Sequence, residues 1–166
     1  MYQLGQMIVY GSHGVCMILD LEEKRIDGKS IGYFVLEPVD QPGTRYYLPA
    51  ANPAALAKSR PLSTKEQLHD YICNPLGEDL WIDHENRRKQ RYRELITSVD
   101  LRAMIDMVRI VRNHRQLQLA QGRKFHQCDD NFLRDAQRIV TTEVSVVLQI
   151  PMDQVEGYLQ QVIENT

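Results

Sequence analysis

The residues with the greatest potential for catalysis or metal binding in this 166-residue chain are five histidines and three cysteines, and their spacing supports neither. His13, His69, His84, His114 and His126 form no HxxxH or HExxH pair, so no helix turn brings two imidazoles onto one metal. The nearest approach to ligand spacing is His126-x-Cys128. Cys16, Cys73 and Cys128 are far apart and odd in number, which argues against a disulfide framework and a zinc cage alike. No glycine-rich phosphate loop occurs, and Gly11-Ser12-His13-Gly14-Val15 is not a nucleophile elbow. Asp129 and Asp130 are adjacent, a spacing that puts them on different faces of a helix and suits capping better than paired acid–base work. The expectation is a protein that is not an enzyme, with no cofactor and no metal.

The strongest local signal is cationic. Arg87, Arg88, Lys89, Arg91 and Arg93 place five cations in seven residues, shortly after Trp81, the only tryptophan. Cations at 87, 88 and 91, read as one helical face with Tyr92 and Leu95 close by, could neutralise phosphates and gain affinity by counterion release. An aromatic ring beside them could stack on bases or wedge into a groove. The same spacing also fits a solvated helix face balanced by Glu85 and Glu94, with Trp81 filling a gap. A net charge of −2 removes any global field that would draw the whole chain onto nucleic acid.

Two elements with different periodicities must position these residues. Up to about residue 53, the runs 8–10, 15–20, 32–38 and 45–49 are short and rich in β-branched and aromatic residues, as strands are. Gly11–Gly14, Asp27-Gly28 and Pro42-Gly43 supply turns between them. This predicts a small antiparallel barrel or curled sheet, with Cys16 in its thin core. Beyond Pro53 the period lengthens. Ser63 and Glu66 have capping-box spacing for a helix through about Ile72, which Asn74-Pro75-Leu76-Gly77 stops. A charged segment covers about 80–95, and Thr97–Asp100 opens a helix striped by Leu101, Met104, Ile105, Val108 and Val111. Asp129 or Asp130 is expected to cap the next, which Pro151 separates from a last helix. The fold class is therefore α+β: an antiparallel β domain at 1–56 followed by an all-α domain of four or five helices at 57–166. A hydrophobic fraction of 43% permits packed cores in both. No run approaches the roughly 18 apolar residues of a membrane span and the N-terminal residues lack the pattern of a signal peptide, so a cytoplasmic protein without membrane contact is expected.

The segment from Gln3 to Val15, QLGQMIVYGSHGV, resembles the opening of the CarD family, shared with the polymerase-interacting domain of transcription-repair coupling factor. The resemblance continues through Lys29-x-x-x-Tyr33-Phe34-Val35-Leu36 and Tyr47-Leu48-Pro49-Ala50-Ala51-Asn52, then more loosely through Asn86-Arg87-Arg88, Ser98–Leu101, Val108-Arg109 and Asp135–Glu143. It implies a Tudor-like barrel that binds the β subunit of bacterial RNA polymerase by adding to an exposed strand edge. It also implies a helical domain that contacts promoter DNA at the upstream edge of the melted bubble and modulates the open complex. Carried over by position, Lys24, its neighbour Arg25, and Tyr47 fall at polymerase contacts, and Arg87 and Arg88 at DNA, with Arg91 beside them. Gln6 stands where the family has Asp, Gly11 where it has Pro, and Tyr47 where it has Arg. The family tryptophan before the paired arginines aligns with Glu85; Trp81 lies four residues earlier and can serve as the wedge only if both positions share one helix. An alternative keeps the polymerase docking and makes the helical half an adaptor for another protein.

Overall fold

A computed structural model describes residues 1–77 and 80–164. The chain divides into two units, Met1–Leu62 and Ser63–Thr166, the first built on strands and the second on helices, so the α+β layout is as expected.

The N-terminal unit is one antiparallel sheet of β1 (Met7–Tyr10), β2 (Val15–Ile26), β3 (Lys29–Pro38), β4 (Tyr46–Pro49) and β5 (Ser59–Pro61), in the order β4-β3-β2-β1-β5. β2 and β3 run well past their apolar stretches because they pair with each other from Cys16↔Pro38 to Ile26↔Lys29, with a bulge at Leu19. Asp27 and Gly28 close this hairpin with φ of 51° and 78°, the left-handed pair that a tight turn between twisted strands requires and that Asp-Gly supplies. β5 carries no strand signature in sequence; it is held by three pairings to β1, and an edge position tolerates its Pro61. The sheet does not close into a barrel: β4 and β5 remain its edges. The short helix α1 (Pro53–Leu56) connects and touches both. Asn52 caps α1 by accepting from the amides of Ala54 and Ala55, and Pro53 suits its first turn. One face of the sheet buries Ile8, Cys16, Ile18, Phe34, Leu36 and Leu48, closed over by Tyr2, Tyr46 and Leu56.

The second unit packs α2 (Lys65–Cys73), α3 (Glu85–Thr97), α4 (Leu101–Ala120), α5 (Gln127–Leu148) and α6 (Val155–Glu164) around a core that includes Leu68, Tyr92, Met104, Met107, Ile139 and Val144. Two expected starts move, and the charged segment at about 80–95 is helical only in part. The capping box of α2 is Thr64 with Gln67, one residue on from Ser63 and Glu66, because the Ser63 amide donates instead to Glu143 Oε1 at 3.0 Å. α3 begins only at Glu85, capped by His84, so Trp81 lies ahead of the helix. α5 begins at Gln127, which places Asp129 inside the first turn rather than at the cap. No helix of the described residues is long and apolar enough to cross a membrane.

Two non-glycine residues of this unit adopt left-handed backbone: Val99, between α3 and α4, at φ 57°, and Gln149, the C-cap of α5, at φ 55°. A side chain there crowds the following carbonyl, and glycine is the usual solution after a helix. Gln149 is exposed, so no packing opposes its removal. Gln149→Gly is expected to stabilise the chain by about 0.5–1 kcal/mol, read as a raised midpoint in urea unfolding.

Candidate functional site

In the N-terminal unit two candidate residues, Lys24 and Arg25, sit on the outer half of the β2–β3 hairpin, and the third, Tyr47, on β4. β1 pairs with β2 only at Val15–Met17, with Gly5 and Gln6 reaching Ile18. From Asp20 to Ile26 the side of β2 away from β3 therefore carries no partner strand among the described residues. Such an edge presents amides and carbonyls to any incoming chain. Asp20 occupies part of it: its Oδ1 accepts from the Leu21 amide at 2.8 Å.

Strand alternation decides which side chains share a face. Lys24 lies opposite Ile31 and Arg25 opposite Ser30, so these neighbours point to opposite faces. Tyr33 faces Pro49 and Val35 faces Tyr47 across β3 and β4, on the side of Lys24. The Lys24 Nζ stands 3.6 Å from the centroid of the Tyr47 ring and 5.8 Å from that of Tyr33, and the two rings meet edge to face at 6.4 Å. Lys24 and Tyr47 thus come together, with Tyr33 as a third member that sequence reasoning missed although its two-residue spacing from Val35 pointed to it. Arg25 belongs to the other face. A cation over exposed rings stabilises by about 0.5–1 kcal/mol, enough to orient Lys24. Tyr47 remains 41% exposed, so the pair is available to a partner.

In the helical unit the structure separates the residues expected to meet DNA. Arg88 is not on the surface. Its side chain is 4% exposed, and it donates to both oxygens of Asp129, from Nε at 2.9 Å and Nη2 at 2.8 Å. Nη1 donates to the carbonyls of Ile82 and Asp83 at 2.8 and 3.3 Å. Asp129 raises the affinity of Arg88 for its proton, against the opposing effect of burial. The expectation that Arg88 faces DNA is therefore corrected: it joins Tyr92, Leu95 and Ile96 on the buried face of α3. It reaches back to fix the 80–84 segment and across to α5.

Trp81 is held by the same cluster. Its ring stacks on His114 at 3.5 Å with an interplanar angle of 16°, and the Arg88 guanidinium stands 4.4 Å from its centroid. Its Nε1–H donates to Asp83 at 3.2 Å. Trp81 is half-buried and precedes α3, so the condition for substituting one helical turn away from Glu85 is not met. Glu85 itself is neutralised, its Oε1 2.6 Å from Lys89 Nζ, and that contact holds its carboxyl below the usual range.

Arg87 and Arg91, one turn apart, stay on the outer side of α3. Arg87 is exposed, and Arg91 lies 4.0 Å from Glu94. Beside them runs the α4–α5 connection. Phe125 lies 6.2 Å from the Trp81 ring, so exposed Arg123 and Lys124, just before it in the chain, come near the 80–84 segment. Sequence reasoning missed these two cations; only folding makes them neighbours of residues some 40 positions earlier. Among the described residues no cluster of histidine, cysteine, aspartate and glutamate could hold a metal ion.

The buried pair gives a direct test. Asp129→Ala strands a charge and is expected to cost about 3–5 kcal/mol in urea unfolding. Arg88→Met with Asp129→Leu removes both charges and is expected to recover most of that loss; an equally unstable double variant would contradict the account.

Comparison with known families matches residues 2–59 to the model described as CarD-like/TRCF RID domain, a span that takes in β1 to β4, α1 and the first residue of β5. No curated protein matches the chain significantly.

Proposed function

We propose, from the premise that residues 2–59 form a CarD-like/TRCF RID domain, that this protein is a polymerase-docked transcription regulator. Its N-terminal unit adds the open edge of β2 to a strand of the RNA polymerase β subunit, and its helical unit rests on promoter DNA at the upstream edge of the bubble. The observation that carries the docking half is the coincidence of an unpaired edge of β2 with a cluster in which Lys24 of β2, Tyr33 of β3 and Tyr47 of β4 meet on one face of the sheet. Main-chain pairing supplies affinity in such additions, and flanking side chains supply selectivity.

The DNA half keeps only part of the set the sequence suggested and adds two further cations. With Arg88 and Trp81 engaged internally, the phosphate contacts fall to Arg87, Arg91, Arg123 and Lys124, all clear of the protein core. Two to four such contacts are weak alone, but tethering to polymerase raises the local DNA concentration into the range where weak contacts suffice. Stabilisation of the open complex then follows if the tethered unit binds it better than the closed one. The internal engagement of Arg88 and Trp81 favours a second reading, in which the helical unit recruits another protein from the polymerase-docked position.

Two measurements divide these readings. The full chain should capture isolated β subunit, and Lys24→Glu with Tyr47→Ala should weaken that capture by about tenfold. A wild-type chain that captures no polymerase at any salt sinks the docking proposal. Arg87→Glu with Lys124→Glu should weaken binding to the polymerase–promoter complex and flatten its salt dependence by about two units of slope, leaving capture of β unchanged. An unchanged salt slope would favour the adaptor.

A further inference from the structure

Two hollows lie side by side in the helical unit. The first, of about 400 Å³, is the more aliphatic: Ile72 of α2, Ile105 and Val108 of α4, Val140 of α5 and Leu159 of α6 line it, together with Arg109, Asn113, Thr141 and Asp153. Met152 and Ile163 stand at it with 43% and 50% of their surface exposed. The second, of about 440 Å³, is polar: Arg112 and Arg115 of α4 and Arg134 of α5 meet there with Asp130 and Glu156. Arg112, Gln137, Glu156 and Gln160 belong to both hollows, so the two share a wall and one ligand can occupy both.

Charge decides what fits the polar end. Three guanidinium groups face two carboxylates, which leaves one positive charge in excess. Arg115 Nε donates to Asp130 at 2.9 Å, on the side away from the aliphatic hollow. Arg112 meets Glu156 at 3.3 Å on the shared wall. The Glu156 side chain is 66% exposed, so this pair contributes little and the carboxylate can turn into water at small cost. Arg134 is exposed and makes no ion pair among the described residues. Guanidinium forks suit planar or tetrahedral oxyanions. The hollows have the size of small-molecule sites, and an aliphatic chamber beside a cationic one suits a ligand with both characters.

We propose that the helical unit binds a small amphipathic anion, its apolar chain in the aliphatic hollow and its phosphate or carboxylate head on Arg112, Arg115 and Arg134 in place of Glu156. This ligand site goes beyond the polymerase reading and does not depend on it.

The test is calorimetric titration of the full chain with monomeric decyl phosphate and, separately, with decanoate, decanol and inorganic phosphate. Decyl phosphate or decanoate should bind saturably with one site per chain, whichever binds tighter identifying the head group. Decanol and inorganic phosphate should bind at least about tenfold more weakly. Arg134→Gln and Ile163→Asp, both at exposed positions that leave the fold intact, should each weaken the preferred anion by about tenfold. Absence of saturable binding by both anions, equal binding of decanol, equal binding of inorganic phosphate, or indifference to both substitutions would overturn the proposal.

Discussion

A guanidinium withdrawn from water must be met by an opposite charge and by acceptors for its remaining protons, and the helical unit is arranged around that requirement at Arg88. Asp129 takes two of its donors, and the carbonyls of Ile82 and Asp83 take the others seen. The acceptors come from two stretches of chain, α5 and the 80–84 segment, so satisfying one side chain of α3 ties three segments together. The 80–84 segment, which has no helical hydrogen bonds of its own, is tied further by Tyr92, whose hydroxyl donates to the Leu80 carbonyl at 2.9 Å. Such a pair adds less to net stability than its geometry suggests, because desolvation offsets much of the attraction. What it adds is a strong penalty against any arrangement that leaves one partner alone.

That penalty explains why the most conspicuous feature of the sequence misleads at Arg88. Five cations in seven residues read as a surface, with Arg87, Arg88 and Arg91 on one face, yet only Arg88 of these three is buried. The spacing of Arg88 with Tyr92, Leu95 and Ile96 is equally plain, and it is the pattern of a buried stripe. A charged residue at the head of that stripe forecasts a buried partner, but Asp129 lies 41 residues away, and nothing local distinguishes it from a helix cap. Most of the strand and helix segments were legible because each depends on periodicity or on local turn chemistry, as at Asp27-Gly28. β5 was not, since Ser59-Arg60-Pro61 becomes a strand only through β1. The left-handed Val99 was also hidden: a β-branched residue disfavours that conformation, yet it is adopted by a buried valine between α3 and α4.

The N-terminal unit meets a different limit. A few short strands make a thin core, so stability and an unpaired edge compete for the same residues. The hairpin resolves this by extending beyond the core: residues 19–30 are exposed throughout, and their main-chain pairing, not burial, holds them. The edge can then stay open without weakening the layer beneath. Charged side chains along it, with Asp20 folded back on the Leu21 amide, discourage indiscriminate pairing between copies.

The stacking of Trp81 on His114 also fixes how this protein can be watched in solution. Trp81 is the sole indole of the chain, and it sits in the helical unit against an imidazole and a guanidinium. Its fluorescence therefore reports the local geometry of residues 80–84, α3 and α4. The sheet announces itself through its tyrosines or through the thiol of Cys16, which is fully enclosed and reacts with a labelling reagent only after the strands around it part.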